Sequence, residues 1–376
     1  MRSLACSVTT VVVLSLLGCE KEEQKEKSAE PAQSVDKAAA VEPALAKAMA
    51  QASAMARTKR GPQRDANGPP EGGVFEPGAA DREARRGAPP KVTLGDRGAE
   101  PRVALGPIRP KPGWKTAGSA QIVMQQAGQG GLPVQIALTL EAQKAKLGDA
   151  GADAPSGADS DVVTVTARVK SAEVSAAGAP EEITTRVRAL KGARVDYQVM
   201  KDGSGTGYHF DLPSGAGEVV DILRILSDTL ALVTLPVPAE PLGRGGFWMT
   251  TSREGVFGLD LVTYRMIKVE KLEGDSVTLS VGTKRYSASN RFDFAGLPAD
   301  APRDLLEFDA KSDGRLDFKL GTPFPTGGEI GSLLGAKLGT PPQVGVIQIQ
   351  SRVALSFPDK SSGPGSKPAA TTGTPP

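Results

Sequence analysis

The chain has 376 residues, with 44 glycines, 30 prolines and only 4% aromatic residues, so much of its length carries too little large apolar surface to build a core. A formal net charge of +2 says little as a whole, but aromatic residues interleaved with basic ones, which a nucleic-acid platform needs, are too few. Two cysteines and one histidine rule out a disulfide-dense scaffold and leave little material for a zinc site.

At the N-terminus, Arg2 precedes an apolar run from Val8 to Leu17, which is about half the ~20 residues that a membrane-spanning helix needs. A basic start, a short apolar stretch and small residues before a cut site are the parts of a secretory signal peptide. Its end, Leu16-Leu17-Gly18-Cys19, resembles the lipobox of bacterial lipoproteins. That resemblance implies that residues 1–18 are removed, that Cys19 becomes the first residue of the mature chain, and that its thiol carries a diacylglyceryl group. Two or three acyl chains, at about 0.8 kcal/mol per buried CH₂, hold a membrane far better than one. Cys6 leaves with the signal, so the mature chain keeps no thiol for a disulfide, a metal or catalysis. Glu20 and Lys21 follow Cys19 where the inner-membrane retention signal of enterobacteria has aspartate, which favours the outer membrane.

From residue 19 to 112 the sequence reads as a disordered tether. Phe75 is its single aromatic residue before Trp114, and a segment rich in Ala, Pro, Gly, Glu, Lys and Arg cannot offset the entropy of ordering. A marginal helix is expected over residues 44–56, and a surplus of dispersed basic charge follows it.

Beyond Trp114 the pattern becomes period-two alternation, predicting antiparallel strands with one buried face. Val163, Val165, Ala167 and Val169 alternate with Thr164, Thr166, Arg168 and Lys170. Ile347, Ile349, Val353, Leu355 and Phe357 oppose Gln348, Gln350 and Arg352. Further strands are expected over residues 121–126, 134–143, 195–200, 260–271, 275–282 and 315–320. Helical spacing appears in Val219, Ile222, Leu223, Leu226 and Leu230, and again in Ile330, Leu333, Leu334 and Leu338, where Thr326 and Glu329 fit a capping box.

These elements read as a duplication, with half-repeats over residues 113–240 and 241–360 and a disordered tail over 361–376. Gly113-Trp114 matches Gly246-Phe247-Trp248, Asp202-Gly203 matches Asp313-Gly314 as a tight turn, and Pro213-Ser214-Gly215 matches Pro325-Thr326-Gly327 ahead of a helix. The fold class is therefore mainly β, a curved antiparallel sheet or half-barrel in which each half carries one short helix. The stretch of residues 235–248, LPVPAEPLGRGGFW, resembles the strand entry of a family of uncharacterised envelope lipoproteins with duplicated β domains, which implies a non-enzymatic protein. The expected shape is similar to the half-barrel of lipoprotein carriers such as LolA and LolB.

Chemistry-bearing candidates are few. His209 has no second histidine to join it, and Gly203 to Gly207 continues into a strand, so it reads as a hairpin turn and not as a phosphate cradle. The carboxylates Glu181 and Glu182, and Asp309 with Asp313 or Asp317, have the residue types of a hydrolase pair but no spacing that places them in one cleft. The expectation is an acylated, non-catalytic lipoprotein without cofactor, metal or nucleic acid, which binds an envelope protein or a lipid-like ligand. A tethered hydrolase and a purely structural subunit stay open as alternatives. Growth with labelled palmitate is expected to label the chain, and Cys19→Ala to abolish the label and release the protein from membranes; retention in the membrane fraction would refute the anchor.

Overall fold

The computed structural model describes residues 70, 72–106, 108–126, 131–145, 162–214, 216–256, 259–292, 303–340 and 343–357. The signal, Cys19, the helix expected over 44–56 and the tail over 361–376 lie outside the described residues.

Twelve strands form one antiparallel, curved and unclosed sheet. A first meander comprises β2 (Lys115–Gln126), β3 (Val134–Lys144), β4 (Val163–Val174), β5 (Arg194–Val199) and β6 (Gly205–Asp211). A second comprises β7 (Phe247–Val256), β8 (Leu259–Glu273), β9 (Ser276–Ser287), β10 (Leu305–Lys319), β11 (Gly327–Thr340) and β12 (Gln343–Ser356). The two become one sheet because β12 pairs with β2, from Ile349 opposite Gln126 to Ser356 opposite Ser119. The edges are then β6 and a strand that precedes both meanders, β1 (Lys91–Asp96), which pairs with β7.

Alternation explains which face turns inward. Val134, Ile136, Leu138, Leu140 and Ala142 of β3 are buried, and the pairing places Ile136 opposite Ala120 of β2 and Leu138 opposite Val169 of β4. The inward faces of both meanders share a single hydrophobic cluster that runs from Ile122 and Val165 to Trp248, Leu279 and Phe318. Within it lies the helix α3 (Val220–Val233), in which every residue from Ile222 to Val233 is buried. A helix enclosed on all sides is the expected place for so apolar a segment.

Three expectations need correction. The segment of Ile330, Leu333, Leu334 and Leu338 is not a helix but β11, hydrogen-bonded to β10 on one side and β12 on the other. Its glycines at 327, 328, 331, 335 and 339 each disfavour a helix by about 1 kcal/mol relative to alanine, whereas Ile330, Ser332, Leu334, Ala336 and Leu338 alternate cleanly. Thr326 caps nothing: its N–H and Oγ1 both donate to the Asp317 carbonyl, at 2.7 and 3.1 Å. The second half therefore has no helix among its described residues, while the first holds α3 and also α2 (Glu181–Arg188). Asp313-Gly314 is not a turn either. It lies in the middle of β10, where a Cβ on Gly314 would meet the Glu329 carbonyl at 2.5 Å, so glycine is needed for close strand approach.

The third correction concerns the tether. Residues 72–106 are built onto the second meander: α1 (Ala79–Glu83) is held where Phe75 and Ala80 cover Val262, Tyr264 and Tyr286, and β1 extends the sheet. The glycines of the LPVPAEPLGRGGFW stretch belong to this junction. Gly243 N–H donates to the Arg97 carbonyl at 2.8 Å, and a Cβ on Gly243 would sit 1.7 Å from the Ala99 carbonyl oxygen. Backbone contact replaces the apolar burial that this composition lacks.

Trp248 is fully buried, and its Nε1–H donates to the Pro236 carbonyl at 2.9 Å. Trp114, its counterpart in the other half, is only partly buried. With one core across both meanders, Trp248→Ala is expected to lower a single calorimetric transition by about 3–5 kcal/mol, and Trp114→Ala to lower the same transition by less. Two separate transitions would show that the meanders fold independently.

Candidate functional site

The inward face of the second meander is not uniformly apolar. Between an apolar end that includes Trp248, Ile267, Val281 and Leu316, and another that includes Leu261, Phe308 and Ala336, a row of polar residues crosses the strands. Register places Thr250 opposite Arg265, Arg265 opposite Thr283, Thr283 opposite Ser312, Ser312 opposite Ser332, Ser332 opposite Ser351, and Ser351 opposite Met124 of β2. All occupy the phase that carries core residues elsewhere on the same strands. Ser332 Oγ donates to Ser312 Oγ at 3.0 Å.

Charges join this row to α3. Arg265, 4% exposed, lies 2.7 Å from Glu254 of β7, and its Nη2 donates to the Ala231 carbonyl at 3.2 Å, placing a cation at the C-terminal end of the helix. Glu254 also accepts from Ser252 at 2.7 Å and Thr263 at 3.1 Å. Burial pushes the Glu254 carboxyl up, but Arg265, Arg285 and these hydroxyls outweigh it and hold it below its usual range. Arg285 of β9, also 4% exposed, lies 2.6 Å from Asp228 of α3 through Nη1. At Asp228 the balance is reversed: burial pushes the carboxyl above the usual range by more than Arg285 and Arg265 draw it down. Its Oδ1, though near Nη1, is not aligned for a full hydrogen bond. Toward the start of α3, Arg224 pairs with Asp221.

Two clefts open onto this layer, each with a cavity volume of about 40 Å³. One lies between α3 and β10 to β12. Its polar wall holds Arg285, Asp228, Ser312, Ser332 and Ser351, and its apolar wall includes Met124, Ala310, Leu334 and Ile349. The other lies at the open seam of the sheet, between residues 87–90, the β5–β6 hairpin and the Glu254–Arg265 pair.

The residues singled out from the sequence lie elsewhere. His209 is exposed on β6, 3.1 Å from Asp211. Gly203 turns the β5–β6 hairpin with φ 84°, and Asp202 accepts from Ser204 N–H and Oγ, as the hairpin reading expects. Glu181 and Glu182 form the first turn of α2, and Glu182 pairs with Arg186. Asp309, Asp313 and Asp317 all fall on the outward face of β10, Asp309 paired with Lys284 and Asp317 accepting from Thr278. They are not brought together with the buried layer. Among the described residues no group of three or more His, Cys, Asp or Glu is placed to hold a metal, and no helix is long and apolar enough to cross a membrane.

No family model and no curated protein matches the chain. Among solved structures, one titled "Lipid-protein interactions in lipovitellin" aligns with a TM-score of 0.36 and 11% identity over 69% of this chain and 27% of that one. The chain thus spans about a quarter of that protein, at a similarity too low to assign fold or ligand.

The buried carboxylates give opposite pH signatures. Asp228 binds its proton more readily folded than unfolded, so its contribution falls as pH rises from its ordinary 3.8 to its raised folded value. Glu254, held below its ordinary 4.5, adds stability as pH rises toward that value. Urea melts between pH 4 and 7 should show a flatter loss of stability with pH in Asp228→Asn than in the wild type; parallel profiles would contradict this assignment. Glu254→Gln, which strands a buried Arg265, is expected to lower stability by about 3–5 kcal/mol.

Proposed function

We propose that the protein is a lipid-anchored, non-catalytic component of the bacterial envelope, attached through Cys19 to the outer membrane, whose folded part binds an amphiphilic ligand in the cleft between α3 and β10 to β12. The anchor is supported by Leu16-Leu17-Gly18-Cys19 and the short apolar run before it. The non-catalytic reading is supported by the place of Glu181, Glu182, Asp309, Asp313 and Asp317, on α2 and on the outward face of β10, and by the arginine opposite each carboxylate that does line a cleft: Arg224 at Asp221, Arg285 at Asp228 and Arg265 at Glu254.

The observation that carries the ligand is the two-sided character of the cleft. A wholly polar opening of this size would suit a few water molecules, and a wholly apolar one would be closed by its own side chains in a close-packed interior. Here hydroxyls and a buried guanidinium face Met124, Leu334 and Ile349, three apolar side chains that are only half-buried. Ligand sites combine an apolar lining with a few placed polar groups in this way. A 40 Å³ cavity has room for the charged end of a ligand alone, so the remaining chain would lie along the strip toward Ile347 at the end of the strands.

An envelope-protein partner is supported separately by the exposure of Leu306, Val344 and Val346, the last of them 70% exposed, near the ends of β10 and β12. Native mass spectrometry of the Cys19→Ala chain produced without residues 1–18 distinguishes the readings. A retained single-chain lipid, displaced in the Ile349→Arg variant, is the expected result. A bare polypeptide mass that takes up no added amphiphile would refute the ligand and leave the protein partner.

A further inference from the structure

The Arg285 side chain is almost wholly buried, yet it uses only part of its donor set. Nη1 faces Asp228, while Nε and Nη2 have no hydrogen-bond partner. These two nitrogens bound one edge of the planar guanidinium, the edge whose parallel N–H bonds match two oxygens of a carboxylate or phosphate. Leaving such donors buried and unused is costly, so the site favours whatever supplies acceptors. Arg285 lines the cleft beside α3, but Nε and Nη2 are themselves closed off from open space, so a ligand's oxygens reach them only where the cleft wall yields; the Ser312 and Ser351 hydroxyls add donors along the same wall, Ser332 already donating to Ser312.

The charges around the cleft limit what can enter. Asp221 and Arg224 pair with each other, Asp228 opposes Arg285, and Glu254 opposes Arg265 deeper in the layer. Formal charge is balanced, which suits a single negative charge on two oxygens better than a dianion.

Resting on the reading of this cleft as an amphiphile site, we propose that it selects a monoanionic two-oxygen head group, a carboxylate or a phosphodiester, received on the Nε/Nη2 edge of Arg285, with the adjoining methylenes against Met124, Leu334 and Ile349. Arg285 is the specificity-determining residue, and Asp228 positions it through the ion pair at Nη1.

The test is titration calorimetry of the Cys19→Ala chain lacking residues 1–18, below micelle concentrations, with three probes: sodium decanoate, lysophosphatidylglycerol and the uncharged decyl maltoside. The proposal expects the anionic probes to bind about tenfold or more tighter than the neutral one, the order of a lost charge-assisted hydrogen-bond pair. Decanoate alone, or the phosphodiester alone, identifies the source of the head group and leaves the proposal standing. Arg285→Met alone strands Asp228 in the core and endangers folding, so the decisive variant is Arg285→Met with Asp228→Leu, which removes both charges and replaces them with apolar volume. That folded double variant should lose its preference for the anions, binding them no tighter than it binds decyl maltoside. Equal binding of neutral and anionic probes by the wild type, or an unchanged preference in the double variant, overturns anion selection while the amphiphile site survives. Failure of all three probes overturns both.

Discussion

The pairing of β12 with β2 is the constraint from which the remaining architecture follows. Without it the chain would be two separate meanders, each with an inward face to cover. With it, the last of the described strands lies beside the first strand of the opposite half, and one inward surface extends from β6 around to β7. The linker between the halves must then pass from one edge of the sheet to the other. It does so through the interior, as α3, and the twelve consecutive buried residues of that helix are the consequence.

An interior helix of leucine and isoleucine could slide or rotate and still find apolar neighbours. The charged contacts remove that freedom. Arg265 reaches the Ala231 carbonyl and Arg285 reaches Asp228, so two strands grip the helix at points less than one turn apart along the chain. Buried ion pairs are poor sources of stability, since desolvation offsets most of their attraction. Their value here lies in position: leucine packing tolerates several settings of α3, whereas these two contacts tolerate one. The same arrangement prevents the helix from filling the space over Ser312, Ser332 and Ser351, which is how the cleft persists.

Much of this was legible in the chain, and the failures have physical causes. The strands from β3 to β5 and β12 follow their alternation, and α3 follows its 3.6-residue spacing. β11 was misread because Ile330, Leu334 and Leu338 are four apart, a spacing common to a helix face and to every second inward position of a strand. Its five glycines were the discriminating signal. The segment over 72–106 was read as tether because composition reports apolar burial, whereas this segment is held largely by backbone hydrogen bonds and tight glycine contacts. The buried layer was missed for a different reason. Asp228 and Arg285 are distant in sequence, and nothing local joins them. A trace was nevertheless present in β12, where the inward series Ile347, Ile349, Val353 and Leu355 skips Ser351. Polar residues in an inward phase on several strands, Thr263 and Arg265 among them, mark such a layer once the strands are aligned.

The placement of residues 72–106 bears on how the folded part would respond to mechanical load. Any pull arriving through the residues before 72 is met first by a small lattice: Phe75 N–H on the Ser287 carbonyl, Ser287 N–H on the Gly73 carbonyl, and Phe308 N–H on the Gly72 carbonyl. Behind it come the Arg253 contacts to Asp81 and to the Ala84 carbonyl, and after those the ladder between β1 and β7. None of these residues lines the cleft beside α3. Force is therefore absorbed in successive stages by a strap on the outside of the sheet, as in a seat belt that pays out before its mounting yields, and the interior helix with its charged clamps is the last part to feel it.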